Sequence, residues 1–198
     1  MNENIFRIFA TIIFLTGIDI SIYFRRKADK DTSEKVSYED EGRAMFLILR
    51  IGGLVLWLSM LGYLIYPSLL AWSKVGLPAW IRWLGVGMGI TCVFLIYWMF
   101  SSIGTGITPT VATRKAHKLV TKGPYRWIRH PLYTFGTLFF LSFALIADSW
   151  FIAVMALLAI TMLTIRLPNE EAHLIEKFGD EYREYIQRTG RYLPKFAK

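Results

Sequence analysis

Ionisable side chains occur in this chain at two places where long apolar runs begin or end. One group precedes the apolar run at residues 132–147, and the other follows the run at residues 150–165. Ionisable groups at such boundaries usually mark function when the apolar runs lie in a membrane. They predict one polar site if the elements that carry them are neighbours. The members are His117, Arg129, His130, Arg166, Glu170 and Glu171.

The short segment between the two apolar runs indicates how the two groups of ionisable residues come together. Only Asp148 and Ser149 separate the run at 132–147 from the run at 150–165, which predicts a tight helical hairpin. His130 and Arg166 then lie at the same end of the hairpin. Pro131 fits the first turn of a helix, where a missing N–H costs nothing. His130 precedes this proline and is expected to be extended, with its ring free to face a ligand.

The same residues also have simpler interpretations. Arg129 could extend to lipid headgroups, and Arg166 could form a plain ion pair with Glu170 four residues later. Glu170 and Glu171 could serve only the dipole of a helix that starts at Asn169. An interfacial aromatic belt is a further possibility for Tyr125, Trp127 and Tyr133.

Three other charged residues lie within or beside the apolar runs. Arg82 is expected to reach lipid headgroups from the end of its run. Arg50 lies deeper and is expected to face the interior of the bundle, and Asp19 is a further candidate for a functional residue, with less context.

Five apolar runs are long enough, or nearly so, to cross a bilayer, which takes about 20 helical residues. The chain has 198 residues, 54% hydrophobic and 16% aromatic, more than a soluble domain of this size carries. The predicted fold is an all-α integral membrane protein with five transmembrane helices. The runs cover residues 5–24, 44–66, 80–100, 132–147 and 150–165.

The net charge of +8 comes from basic clusters between the apolar runs. This pattern is typical of a membrane protein with cationic faces, and we expect no nucleic-acid partner. Cys92 is the single cysteine, so no internal disulfide can form, and its apolar surroundings predict a packing role. The chain lacks the Cys/His spacing of zinc sites, so we expect no metal.

Loop charges predict the orientation in the membrane. Residues 25–43 hold six Lys and Arg, residues 101–131 hold six, and the tail from residue 166 holds seven, whereas the other two loops are poor in both. The positive-inside rule then places the N-terminus outside and the C-terminus in the cytoplasm. Five spans require the two ends to lie on opposite sides, so both arguments agree. The first run lacks a cleavage site and is expected to remain as an anchor.

The remaining segments divide into connectors and a predicted cytoplasmic helix. Residues 25–43 mix both charges and are expected to be a solvated connector. Residues 169–189 carry an apolar stripe at steps of three and four, which predicts an amphipathic helix. We expect residues 1–100 to form a three-helix membrane region. Residues 101–198 should form one compact unit of loop, hairpin and C-terminal helix.

Two stretches of the chain resemble the isoprenylcysteine carboxyl methyltransferase family. The first is HKLVTKGPYRWIRHPLY at 117–133, and the second is RLPNEEAHLIEKFGDEYREYIQRTGRYLP at 166–194. Residues 101–110 are similar to the upstream loop of that family more loosely. The resemblance covers about the last 100 residues, and the chain is similar to the short prokaryotic members. It therefore implies a prokaryotic cell membrane.

The resemblance implies a bound S-adenosylmethionine on the cytoplasmic side and a lipophilic methyl acceptor. Glu170 matches the carboxylate that holds the amino group of the cofactor, and Arg166 matches the catalytic arginine beside the acceptor. The other residues that match cofactor-binding positions are His117, Lys118, Leu119, Val120, Tyr125, His130, Pro131, Leu132 and Tyr133.

The resemblance favours carboxyl methylation of a prenylcysteine-like acceptor. Phospholipid N-methyltransferases share much of the same C-terminal pattern, so an amine acceptor is the alternative. Such an acceptor would have to lose a proton, and His130 could take it. A membrane scaffold without cofactor and a nicotinamide-dependent membrane reductase are two further alternatives.

Overall fold

Six α-helices account for most of the residues that the computed structural model describes, which are residues 3–31, 43–103 and 119–195. Two short 3-10 helices, Pro67–Ser73 and Gly123–Arg126, lie in the connections. The helices are α1 Glu3–Asp31, α2 Arg43–Ile65, α3 Ala79–Ile103, α4 Pro131–Ala147, α5 Trp150–Phe178 and α6 Asp180–Arg188.

Each of the five predicted apolar runs coincides with a separate helix. Four helices are long and apolar enough to cross a membrane, over Glu3–Ala28, Leu47–Ile65, Ala79–Ile103 and Trp150–Phe178. Helix α4 has 17 residues and, at about 1.5 Å per residue, is shorter than the roughly 30 Å hydrocarbon core. The all-α membrane fold is thus confirmed, whereas the count of five spans and the division at residue 100 stay predictions.

The outer faces of the helices are apolar. Ile65 is 75% exposed and Phe94 is 70% exposed, and many other large aliphatic and aromatic side chains also point outward. Apolar surface of this extent is typical of helices that face lipid. Arg50 also lies on the exposed surface, so its predicted position inside the bundle is wrong.

Helices α3 and α4 pack closely because two glycines lie at their contact. A Cβ atom on Gly85 would lie 2.8 Å from the Cβ of Leu145, and one on Gly89 would lie 3.1 Å from the Oγ of Ser142. Small residues four positions apart let membrane helices approach in this way. The close packing fixes the start of α4, and with it the predicted site, relative to α3.

One end of the bundle is closed by a partly buried ion pair, and we call it the distal end. Arg82 is 9% exposed and donates to both carboxylate oxygens of Glu3, at 2.8 and 3.0 Å. It also donates to the carbonyl of Ile146 at 2.7 Å and to the hydroxyl of Tyr63 at 3.2 Å. The expectation that Arg82 reaches headgroups is therefore wrong, because these partners hold its guanidinium inside the bundle.

The predicted turn between α4 and α5 also lies at the distal end. Asp148 adopts a left-handed conformation with φ 55°, and its carboxylate accepts from the backbone N–H of Leu77 at 2.9 Å. The hydroxyl of Ser149 caps α5 by accepting from the N–H of Ile152 at 3.3 Å. The helical hairpin that the sequence predicts is thus present, so α4 begins and α5 ends at the opposite end of the bundle, which we call the site end.

Helix α5 is longer than its apolar run predicts. It continues through Pro168 to Phe178 as one helix, so the predicted helix start at Asn169 is wrong. A proline inside a helix removes one backbone hydrogen bond. Leu167 beside it is fully buried at 0% exposure, which indicates that packing compensates for the lost bond.

The predicted tail helix is divided at Gly179. This glycine has φ 57° and separates α5 from α6. Tyr182 and Tyr185 lie on the buried face of α6, as the apolar stripe predicts. Glu170 and Glu171 lie far inside α5, so their assignment to the first turn of a helix is wrong.

Candidate functional site

A cavity of about 710 Å³ lies toward the site end and is lined by residues of all six helices and of the loop that precedes α4. The family resemblance assigns eleven residues to the site, and nine of them lie in the described portion of the chain. All nine line this cavity: Leu119, Val120, Tyr125, His130, Pro131, Leu132, Tyr133, Arg166 and Glu170. The other two, His117 and Lys118, lie outside the described residues.

The cavity changes from apolar to polar along α5. Ala156, Ala159 and Leu163 line its apolar region. Arg166 and Glu170, which follow Leu163 within two helical turns, line its polar region. The regular steps of three and four place these five side chains on the same face of the helix. The cavity therefore suits a ligand, or a pair of ligands, with both an apolar and a charged portion.

His130 is held at the join between the loop and α4. Its backbone is non-helical, with φ −122° and ψ 61°, and Pro131 occupies the first turn of α4. The Nε2 atom lies 3.2 Å from Oε1 of Glu171, and Nδ1 lies 3.8 Å from Oε1 of Glu170. The ring stacks on Tyr133, with centroids 5.5 Å apart. Because both ring nitrogens face carboxylates, the imidazole has a fixed orientation at the cavity wall.

Glu171 organises this end of the molecule; it belongs to the polar group that the sequence predicts, although the family resemblance assigns it no role. Its side chain is 8% exposed and accepts from Nε of Arg129 at 3.0 Å. It also accepts a short hydrogen bond from Arg191. Together with His130, Glu171 thus has three partners from two distant segments of the chain. The interpretation that Arg129 reaches lipid headgroups is wrong, because its side chain is 8% exposed and ion-paired.

A C-terminal strap, residues 189–192, packs against the loop that precedes α4. The N–H of Arg129 donates to the carbonyl of Gly190 at 2.8 Å, and the N–H of His130 donates to the carbonyl of Arg191 at 3.2 Å. The hydroxyl of Thr134 donates to the carbonyl of Tyr192 at 2.8 Å. The strap therefore fixes the backbone on both sides of His130. No local sequence signal indicates this pairing, because its partners lie some 60 residues apart.

Glu170 has a different environment from Glu171. Its side chain is 21% exposed and lines the cavity. The hydroxyl of Tyr133 donates a short hydrogen bond to its Oε2. One carboxylate on α5 is thus sequestered in a structural network, while its neighbour remains accessible to a cavity ligand.

Two tyrosines close the cavity from the loop and from α6. The hydroxyl of Tyr185 donates to the carbonyl of Tyr125 at 2.6 Å. Burial raises the pKa of both phenols above the ordinary value of 10.0, so Tyr185 remains a donor throughout the physiological range. Tyr125 and Tyr133 line the cavity, whereas Trp127 is 46% exposed. Among the three aromatic residues, Trp127 alone keeps the environment expected of an interfacial belt.

Metal-ligating side chains do not cluster in the described residues. Within residues 3–31, 43–103 and 119–195, no three His, Cys, Asp or Glu side chains lie close enough together to hold a metal ion. Cys92 is buried at 1% exposure, in agreement with its predicted packing role.

Comparison with known protein families assigns this part of the chain to one of them. The profile of the phospholipid methyltransferase family matches residues 80–181, slightly more than half of the chain. The match covers α3, α4, α5 and the loop that carries Tyr125 and His130. The chain belongs to this family.

Curated relatives match between 44% and 62% of the chain and bear several names. A protein-S-isoprenylcysteine O-methyltransferase of Homo sapiens is 30% identical over 131 residues, 62% of this chain and 44% of its own. Protein-S-isoprenylcysteine O-methyltransferase B of Arabidopsis thaliana is 32% identical over 123 residues, 58% and 60% of the two chains. The nickel-cobalt-cadmium resistance protein NccN of Alcaligenes xylosoxydans xylosoxydans is 29% identical over 87 residues, 44% and 41%.

The chain thus spans about two to three fifths of the length of these relatives.

A solved structure of the eukaryotic intramembrane Ras methyltransferase, isoprenylcysteine carboxyl methyltransferase, has the same fold. Its TM-score is 0.58 at 20% identity, and the alignment covers 94% of this chain and 67% of the other. The resemblance to isoprenylcysteine carboxyl methyltransferases that the two motifs indicate is confirmed.

Proposed function

We propose that this protein transfers a methyl group from S-adenosylmethionine to an amphiphilic acceptor at a membrane boundary. The observation that carries the proposal is the convergence of nine predicted site residues on a single cavity that is polar at one end and apolar at the other. Relatives named methyltransferases support the same reaction class. The cavity volume of about 710 Å³ is within the range of small-molecule sites.

The donor set fits this cofactor. Glu170 offers an accessible carboxylate for its amino group, and a charge-assisted contact of this kind is among the stronger hydrogen bonds. Tyr125 and the apolar side chains of Leu119 and Val120 offer a wall for the adenosine portion. When bound, the cofactor supplies a methyl group already activated on a sulfonium sulfur, so the protein mainly has to align donor and acceptor.

With a carboxylate acceptor, His130 and Tyr133 contribute position rather than proton transfer; with an amine acceptor, His130 could take the proton that the amine must lose. Glu171 fixes the imidazole at 3.2 Å, and Tyr133 stacks on it while donating to Glu170. This arrangement holds the Glu170 carboxylate toward the cavity. Arg166 lies one turn before Glu170 and lines the cavity, where its guanidinium can orient an anionic acceptor through two parallel hydrogen bonds.

The favoured acceptor is the carboxylate of a prenylcysteine-like molecule. A carboxylate is ionised at neutral pH and needs no general base, and the lipid tail would lie along the apolar region of the cavity. The second candidate is the amine of a phospholipid, which the description of the matched family favours. In the proposed orientation, the N-terminus lies outside a prokaryotic cell membrane and the site end faces the cytoplasm.

Radiolabelled methyl transfer tests the reaction directly. The purified protein would receive labelled S-adenosylmethionine with an S-farnesylated N-acetylcysteine in one sample and phosphatidylethanolamine micelles in another. Label extracted with the farnesylated compound, and lost again on mild base hydrolysis as expected for an ester, supports carboxyl methylation. Base-stable label in the phospholipid supports the amine acceptor. Label in neither lipid, from a folded sample, contradicts both acceptors.

A further inference from the structure

The apolar region of the cavity ends at one level on the helices α1 to α5. The hydrogen bond between Arg82 and Tyr63 shows that α2 ends and α3 begins at the distal end. On each of these helices, a buried side chain that does not line the cavity follows the last lining residue within about one turn toward the distal end. A packed layer therefore closes the cavity on its distal side. The last lining residues are Gly17, Trp57, Ile96, Phe140 and Ala156, and the buried residues beyond them are Phe14, Met60, Cys92, Phe143 and Ile152.

Trp57 is the lining residue that α2 contributes to this cavity within the described parts of the chain. Its ring packs edge-on against Phe14 of α1, with centroids 5.2 Å apart, and against Phe140 of α4, with centroids 5.8 Å apart. Phe14 in turn packs on Phe143 in the buried layer, at 6.0 Å. The indole is therefore held by partners on two other helices at the point where the cavity ends.

The depth of the apolar region follows from the helices that line it. From Arg166 to Ala156 on α5 the helical rise is roughly 15 Å, and from Pro131 to Phe140 on α4 it is roughly 14 Å. An acceptor with its head beside Arg166 would reach the level of Trp57 with an extended chain about as long as a farnesyl group. A geranylgeranyl group is longer by one isoprene unit and would meet the closed layer.

A glycine on α4 leaves the space above this layer open. Gly136 lines the cavity, and a Cβ atom added to it would have no heavy atom within 4 Å. It lies one turn before Phe140, which is a rise of about 6 Å. A larger side chain at this position would enter the cavity without displacing a neighbour, although glycine itself weakens the interior of a helix.

We propose that Trp57 limits the length of the apolar chain of the acceptor, and that Gly136 keeps the space above it open. This inference rests on the proposed function and deepens it. Trp57 lies outside residues 80–181, which match the family, so the accepted chain length need not be shared by the family. The chain has two possible sources: the prenyl group of a prenylated cysteine or the acyl chain of a phospholipid amine.

A matched pair of variants tests the limit. Trp57→Ala deepens the cavity, whereas Trp83→Ala removes the same side chain from α3, where it packs on Phe6 and Phe9 at 5.4 and 5.3 Å and does not line this cavity. Gly136→Leu is the opposite change, because it fills the cavity above Trp57.

The measurement is kcat/KM for labelled methyl transfer to N-acetylcysteine that carries an S-geranyl, S-farnesyl or S-geranylgeranyl group. A parallel series contains lysophosphatidylethanolamines with lauroyl, myristoyl or palmitoyl chains. Ratios of kcat/KM between chain lengths do not depend on the amount of active protein. Melting temperature and affinity for S-adenosylhomocysteine are measured on the same samples.

The wild type should favour the farnesyl compound over the geranylgeranyl compound. Trp57→Ala should shift this ratio toward geranylgeranyl by roughly tenfold or more, because even one methylene changes selectivity roughly tenfold to 200-fold in a hydrophobic pocket. Trp83→Ala should keep the wild-type ratio, and Gly136→Leu should shift the preference toward geranyl. Both tryptophan variants should bind S-adenosylhomocysteine as the wild type does.

The two series distinguish the sources of the chain. A length limit that moves with Trp57→Ala in the prenyl series assigns the chain to a prenylated cysteine, and one in the acyl series assigns it to a phospholipid. Ratios unchanged by both Trp57→Ala and Gly136→Leu, or shifted equally by Trp57→Ala and Trp83→Ala, would overturn the inference. If Trp57→Ala does not melt cooperatively, Gly136→Leu decides alone. Failure of the wild type to bind S-adenosylhomocysteine and to methylate either series would instead refute the proposed function.

Discussion

Removal of the Glu171 carboxylate should lower the stability of the protein more than removal of an exposed carboxylate on the same helix. In Glu171→Ala, Arg129 would keep two backbone carbonyl partners, from Ile186 and Thr189, but would lose its only carboxylate partner in the described structure. Its side chain is 8% exposed, so water can reach the guanidinium only poorly.

The expected magnitude follows from this burial. Breaking a buried ion pair by removing one partner costs about 3–5 kcal/mol. Because the two carbonyl contacts remain, we expect the lower end, about 3 kcal/mol. The pair with Arg191 adds about 1 kcal/mol at most, since that arginine is 44% exposed. For a chain of 198 residues, 3 kcal/mol corresponds to a fall in melting temperature of roughly 6–12 °C.

Thermal unfolding of detergent-purified protein, followed by circular dichroism, measures the effect. Glu176→Ala is the matched control, because Glu176 lies on the same helix and is exposed, where substitutions typically change stability by less than about 0.5 kcal/mol. Glu171→Gln should fall between the two, because it keeps an acceptor but loses the charge. Equal melting temperatures for Glu171→Ala and Glu176→Ala would refute the structural role assigned to Glu171.

Four further substitutions have distinct expected results. Glu170→Gln should weaken S-adenosylhomocysteine binding about tenfold or more in calorimetry, because one charge-assisted contact is lost; unchanged affinity would remove its assigned role. Arg166→Ala should lower turnover more than cofactor affinity, and an equal loss in both would place it in the cofactor subsite. Gly190→Ala should lower both the melting temperature and cofactor affinity, since its Cβ would overlap the carbonyl oxygen of Leu193 and displace the strap; a wild-type melting curve would contradict this. Arg82→Leu should lower the melting temperature by several degrees without changing cofactor affinity, because it lies at the distal end.

Hydrophobic periodicity and turn residues are sufficient to predict most of the helices. The apolar runs are long, and Asp148 and Ser149 break them sharply, so the hairpin between α4 and α5 follows from the sequence alone. The extension of α5 through Pro168 does not follow. A proline ordinarily ends a helix, and here buried contacts of Leu167 and Glu171 hold the turns around it.

The sequence predicts the parts of the candidate site that are formed by residues close together in the chain. It does not predict the parts that are formed by contacts between distant segments. His130, Pro131 and Tyr133 are close in sequence, and their motif indicates the cavity wall. Glu171 and Arg191 meet only because the strap returns to the loop, so no spacing in the sequence reveals their ion pair. Arg82 and Arg50 were misplaced because composition gives the depth of a residue in a helix but not the face on which it lies.

Binding of S-adenosylhomocysteine tests the central claim most directly. Calorimetry on the detergent-purified wild type, with NADPH titrated in parallel, requires no knowledge of the acceptor. Saturable binding of S-adenosylhomocysteine alone, weakened in Glu170→Gln, is the predicted result. Absence of that binding in a sample that melts cooperatively would contradict the methyltransferase proposal; NADPH binding would then favour a reductase, and binding of neither would favour a scaffold.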